Sequence, residues 1–178
     1  MAWRGVHQPV YCWLREYMTV CRRHQRWIGS PARTWEDQKS LAAQPRVKAA
    51  ARTHARLYHI STTAEHDLRD AQRIVTWWAR RRAVLEAPSH IDTLEAHIST
   101  YPQVITLAQI LGAYRRRLWD SDGKTVTLAR TIHHLHNEID DRLNIRHPHA
   151  EMHPIESWIY DQRIVARTRR NALTACMK

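Results

Sequence analysis

The sequence predicts an all-α fold, a four- or five-helix bundle with helical N- and C-terminal extensions, and three observations predict it. Apolar residues return at three- and four-residue intervals in one segment after another, the pattern of helices that each bury one face. Neither the alternation of half-buried strands nor an Asn-Gly hairpin turn is legible. The 178 residues include only four glycines, too few for a sheet with tight turns between its strands. A chain of this length is one domain's worth, and its 43% hydrophobic residues can fill a core. Its aromatics are eight Trp and six Tyr with no Phe, so that core brings N–H and O–H groups that need partners.

Residues 1–30 read as an amphipathic basic helix. Val10, Leu14, Tyr17, Met18 and Cys21 recur at helical spacing after Pro9, and Arg4, Arg15, Arg22, Arg23 and Arg26 face a single acid, Glu16. Amphipathic, Arg-rich and acid-poor also describes a mitochondrial import segment, so the stretch is either an uncleaved import signal or the first helix. Gly29-Ser30-Pro31 ends it. Residues 31–60 are a helical connecting region: a short piece from Trp35 to Ala43 capped by Thr34, then a helix opened by Pro45 that reaches Tyr58.

Residues 61–148 are the bundle core. Thr62 with Glu65 makes a capping box, after which Leu68, Ala71, Ile74, Val75 and Trp78 mark one face of a helix to Glu86. Ser89 with Asp92 opens a short helix that buries Ile91, Leu94 and Ile98, and Tyr101-Pro102 interrupts it. Val104, Ile105, Leu107, Ile110, Leu111, Tyr114 and Leu118 form the most apolar helix, closed by a Ser121-Asp122-Gly123 turn. Val126, Leu128, Ile132, Leu135, Ile139 and Leu143 stripe the next, and Pro148 and Pro154 bracket a loop. Residues 149–178 carry a last helix, Ile155 to Arg170, with Trp158, Ile159, Ile164 and Val165 inward.

The charge balance narrows the partners. Lys and Arg number 28 against 17 Asp and Glu, a net +11, and four of the 28 are Lys. Such a field favours RNA, anionic lipid or an acidic protein surface, and the planar guanidinium suits bidentate pairing with phosphate or carboxylate. Contacts to such partners are expected at Arg80, Arg81 and Arg82 beside Trp77-Trp78, at Arg115, Arg116 and Arg117, and at Arg167, Arg169 and Arg170. In that run Trp beside Arg can stack on bases; equally, Trp78 can belong to the core stripe and the arginines to a solvated face. Cys12, Cys21 and Cys176 form no C-x-x-C and read as free thiols. No apolar run approaches the roughly 20 residues of a membrane span.

Catalytic and metal signals are incomplete. His136 with Asp140 and His134 with Glu138 lie at i, i+4, and His147, His149 and His153 follow, yet no recognised metal spacing is present and no metal is expected. Gly123-Lys124-Thr125 resembles the end of a P-loop, without its first glycine or a leading strand. No nucleophile sits beside an evident base.

The segment His133-x-x-His136-Asn137-x-Ile139-x-x-Arg142-Leu143, ending at Pro148, resembles the flavin-binding helix of the Erv/ALR sulfhydryl oxidases, with Tyr101-Pro102 upstream. The likeness covers residues 101–148. It implies a small helical bundle in which His133, His136 and Asn137 contact the adenine portion of FAD and Arg142 lies near its phosphates. Gln103 and Thr106 stand where that family has its redox cysteines, Asp140 replaces its second asparagine and Thr131 its tryptophan. Family-type dithiol oxidation therefore has no thiols to run on. The expectation is a non-catalytic accessory subunit of a large mitochondrial assembly, associated with the inner membrane and held by other protein subunits and anionic lipid. A respiratory-chain or ATP synthase complex fits best, with no cofactor. The alternatives are a mitoribosomal rRNA-binding protein and an FAD-binding relative of the sulfhydryl oxidases.

Overall fold

The computed structural model describes residues 17–86, 93–120, 127–144 and 151–176. The fold is all-α: the described residues form five helices, α1 (Pro45–Ile60), α2 (Ala64–Glu86), α3 (Leu94–Asp120), α4 (Leu128–Leu143) and α5 (His153–Cys176). A two-stranded ribbon, β1 (Val20–Cys21) and β2 (Arg26–Trp27), precedes them. The chain forms two compact units, Met1–Ser61 with Ser89–Pro102, and Thr62–Pro88 with Gln103–Lys178.

The first unit departs from the sequence expectation. The basic helix expected to reach Gly29 is, over its described part, an antiparallel hairpin with Val20 opposite Trp27 and Cys21 opposite Arg26. Gln25 closes the turn with a left-handed φ of 48°. The reason is long-range: Trp27 is buried, edge-on to the Tyr101 ring at 5.0 Å, and its backbone N–H donates to the Lys39 carbonyl. A helix would place that indole elsewhere. Residues 1–16, and with them most of the import-like stretch, lie outside the described residues. The short helix expected from Trp35 to Ala43 is a set of turns. The Asp37 carboxylate accepts the Arg33 and Thr34 N–H groups, both at 2.9 Å, and those bonds hold its carboxyl below the usual range. Leu41 is fully buried. Pro45 opens α1 as expected, with Val47, Ala50, His54 and Leu57 buried at helical spacing.

In the second unit α2 keeps its expected span, with its start one residue along: the Thr63 carbonyl accepts the Asp67 N–H, and the Thr63 hydroxyl donates to the Asp67 carboxylate. Ala71, Ile74, Val75 and Trp78 are buried as the periodicity predicts. The Ser89–Asp92 cap and the Ser121-Asp122-Gly123 turn lie outside the described residues. The interruption expected at Tyr101-Pro102 does not occur, because α3 continues through Pro102. Ile98 and Tyr101 are buried before it and Ile105 after it. α4 buries Thr131, Leu135 and Ile139 and ends at Asn144 in a left-handed conformation, whose N–H meets the Asp140 carbonyl. α5 buries Ile155, Trp158 and Ile159, but Ile164 and Val165, expected inward, are exposed. Among the described residues no helix is long and apolar enough to cross a membrane.

Candidate functional site

α2 has a buried side and an exposed side, set by the same periodicity. Opposite its core stripe lie Arg69, Gln72, Arg73, Thr76, Trp77 and Arg80, which line a groove of about 340 Å³. The Arg81 guanidinium lies 5.4 Å from the Trp77 ring centroid, close enough for cation–π attraction. Trp78, one residue on, belongs to the core: it is buried, and its indole N–H donates to the Glu151 carbonyl at 2.7 Å. Arg82 follows Trp78 and meets the Glu151 carboxylate at 3.4 Å. The Trp-Trp-Ala-Arg-Arg-Arg run is therefore split, Trp78 and Arg82 inward and Trp77, Arg80 and Arg81 outward. Arg69, Gln72, Arg73 and Thr76 were not singled out from sequence. Their signal was the i, i+4, i+7, i+11 spacing of Arg69, Arg73, Thr76 and Arg80.

Arg115, expected to face an anionic partner, is corrected by the structure. It is 4% exposed and sits between two acids of α2. Its guanidinium bonds Asp67 and Asp70, and its Nε donates to Gln162 at 2.9 Å. The Trp158 ring lies 5.6 Å below it, and the Trp158 indole N–H donates to Asp70 at 2.8 Å. A guanidinium buried between two carboxylates of its own unit is not presented to an outside ligand. Gly112 makes the room: a Cβ there would stand 2.5 Å from the Asp67 carboxylate. Burial pushes the Asp67 carboxyl up while Arg115 and the Thr63 hydroxyl pull it down. Arg116 and Arg117 are exposed beyond this centre. On α5 Arg167 is exposed and Arg169 lies over the Trp119 ring at 4.6 Å; the Arg170 side chain lies outside the described ones.

The four residues implied by the sulfhydryl-oxidase likeness do not gather on one side of α4. His133 and Asn137 are exposed and bond each other at 3.2 Å. His136 leans toward α5, 3.9 Å from Glu156. Arg142, nine residues beyond His133 and so about half a turn around the helix, reaches Gln109 of α3 at 3.0 Å and Glu138 at 3.8 Å. They do not fit a single nucleotide, since the guanidinium faces away from the histidines. Among the described residues no three His, Cys, Asp or Glu side chains are grouped to hold a metal ion.

α5 carries the other exposed feature. Tyr160, Ile164 and Val165 stand out at i, i+4 and i+5, with Ile164 61% exposed. Exposed Arg167 follows on the next turn.

In the first unit a polar pair is sealed inside the aromatic cluster. Tyr101 accepts from the Thr19 hydroxyl at 2.7 Å and meets His54 Nδ1 at 2.8 Å. Burial pushes the Tyr101 phenol up to about 12 and the His54 imidazole down to about 4. Both groups are thereby held neutral, and Nε2 of His54 is buried without a hydrogen-bond partner among the described residues.

Compared with protein-family models, curated proteins and solved structures, the chain matches none.

Proposed function

We propose that this chain is a non-catalytic helical subunit of a larger mitochondrial assembly, seated against its neighbours along α5. The observation that carries the reading is the exposed apolar row Tyr160, Ile164 and Val165. Single exposed apolar residues are ordinary, whereas neighbouring ones on one helix face, rimmed by charge, are typical of protein interfaces. Burying a Tyr and two β-branched side chains offers several kcal/mol of transfer free energy, at roughly 1.5–3 kcal/mol each. The acid-poor, Arg-rich first residues support the mitochondrial setting. The assembly is a respiratory-chain or ATP synthase complex, or the mitoribosome if RNA is among its partners.

The test is gentle native purification through a tag on the full chain, with mass spectrometry of what comes with it. Subunits of one mitochondrial complex should co-purify in fixed proportion, and Ile164→Asp should release them while the helical circular dichroism stays unchanged. A chain that elutes alone, or whose partners ignore Ile164→Asp, overturns the reading.

A further inference from the structure

From the exposed side of α2 we infer a binding site for a single strand of RNA, with phosphates on Arg69, Arg73 and Arg80 and a base stacked on Trp77. This deepens the assembly reading by naming the partner, and only its cellular setting rests on that reading.

Charge comes first. Arg69 is bonded to Glu65 one turn back, but Arg73, Arg80 and Arg81 have no carboxylate partner among the described residues. From Arg69 to Arg80 the helix rises about 16 Å, so the groove presents a row of guanidinium groups rather than one point. A row suits a polymer with charge at each step better than a single small anion. Each guanidinium can grip a phosphate with two bonds.

The aromatic decides between kinds of anion. Trp77 is half-buried at the groove, and Arg81 lies over its ring. Ring and guanidinium together form the kind of platform on which unstacked bases lie, and such stacking tolerates any base. Gln72 and Thr76, between the arginines, offer neutral donors and acceptors for a base edge or a 2′-hydroxyl. A bilayer would need an apolar row to insert. On α2 that row (Ala71, Ile74, Val75 and Trp78) is already buried in the unit, and Trp77 is the one large apolar side chain in the groove. Lipid is thus the poorer match. A duplex, whose bases stay stacked on each other, would leave Trp77 unused.

The experiment is fluorescence anisotropy of a labelled, mixed-sequence single-stranded oligoribonucleotide titrated with the purified full-length chain. Binding is expected with a log–log salt slope near −2, about −0.7 for each of three phosphates. Arg73→Ala with Arg80→Ala should weaken binding at least ten-fold and flatten that slope by more than one. Trp77→Ala should weaken it about ten-fold and leave the slope alone, because a ring carries no counterion. Arg22→Ala with Arg23→Ala, which removes equal charge from an exposed turn of the other unit, should change affinity less than two-fold. Circular dichroism confirms that each variant keeps its helices.

Three results overturn the proposal. Wild-type chain that fails to bind the oligonucleotide excludes it outright. Equal losses in the two double-arginine variants would mean that net charge, not this face, holds the strand. Oligonucleotide binding unaffected by Trp77→Ala, with a tryptophan emission shift on vesicles rich in phosphatidylglycerol that the wild-type chain shows and Trp77→Ala lacks, would make the ligand a membrane. Because binding is measured on the isolated chain, its failure leaves the α5 interface standing, and the loss of α5 partners leaves RNA binding untouched.

Discussion

Burying a guanidinium is costly unless its donors are met, and Arg115 shows what meeting them takes: two carboxylates, a glutamine, an indole underneath and a glycine in place of any side chain. Because Asp67 is buried as deeply as Arg115, removing one partner strands the other. Arg115→Met should therefore cost about 3–5 kcal/mol of stability at neutral pH, read by urea unfolding. The loss should shrink in acid, since a stranded Asp67 carboxyl rises further and takes a proton. If the cost stays below about 1 kcal/mol, the centre is not closed as described. The sequence offered Arg115 only as the first of three arginines at a helix end. Its burial depends on Asp67 and Asp70, 48 and 45 residues earlier, and no local pattern encodes that meeting. His54 makes a second prediction at this scale. Its folded pKa of about 4 lies below its ordinary 6.5, so the unfolded chain takes the proton first. His54 therefore costs the fold nothing above pH 6.5, and acidification from 6.5 to 4 should remove about 3 kcal/mol, after which the loss levels off. His54→Phe should remove that part of the acid dependence and leave the carboxylate part. An unchanged slope between pH 6.5 and 4 would show that His54 is not sealed in.

Helices were legible where one face was apolar over several turns, as in α2, α4 and the later part of α3, whereas α1 was legible from the proline that opens it. The hairpin could not, because two-residue strands have no periodicity to see and Trp27 is placed by Tyr101, far away in sequence. α5 was legible as a helix but not in its outward apolar row: Ile164 and Val165 look like core to any reading by hydrophobicity, and exposure is a tertiary fact. The basic groove of α2 was half-legible: the run Arg80-Arg81-Arg82 is plain in the sequence, whereas the face that Arg80 alone of the three shares with Arg69 and Arg73 is not. Pro102 gives the sharpest case. A proline in a helix interior removes one backbone bond and strains the preceding turn, about 3 kcal/mol in all, which is why a break is expected from the sequence. α3 tolerates it, so the cost is carried by the buried residues around it. Pro102→Ala should then stabilise the chain, by up to about 3 kcal/mol, measured as a rise in the urea midpoint. A fall would mean that the proline sets the direction in which Tyr101 meets His54 and Thr19.

At the scale of the whole molecule the dominant fact is +11 of net charge on 178 residues, which repels itself across the surface. The attractive pairs are of two kinds. Lys39–Glu95 and Arg69–Glu65 are exposed and Arg142–Glu138 is partly so, and pairs of that kind are worth little and are screened by salt. The Arg115 centre is buried and hardly feels it. Repulsion among many distant charges is lost first, because the Debye length falls from about 30 Å at 0.01 M to about 8 Å at 0.15 M. The free chain should thus melt a few degrees higher as sodium chloride rises from about 0.01 to 0.15 M, followed by circular dichroism. With a bound RNA strand the sign reverses, since the same salt that relieves self-repulsion competes for the phosphates of the ligand. The stabilisation that RNA gives should shrink over the range in which the free chain gains. A free chain that melts lower with added salt would place more stability in the exposed pairs than their geometry allows, and the two curves together separate the charge that burdens this fold from the charge that the proposed RNA site would use.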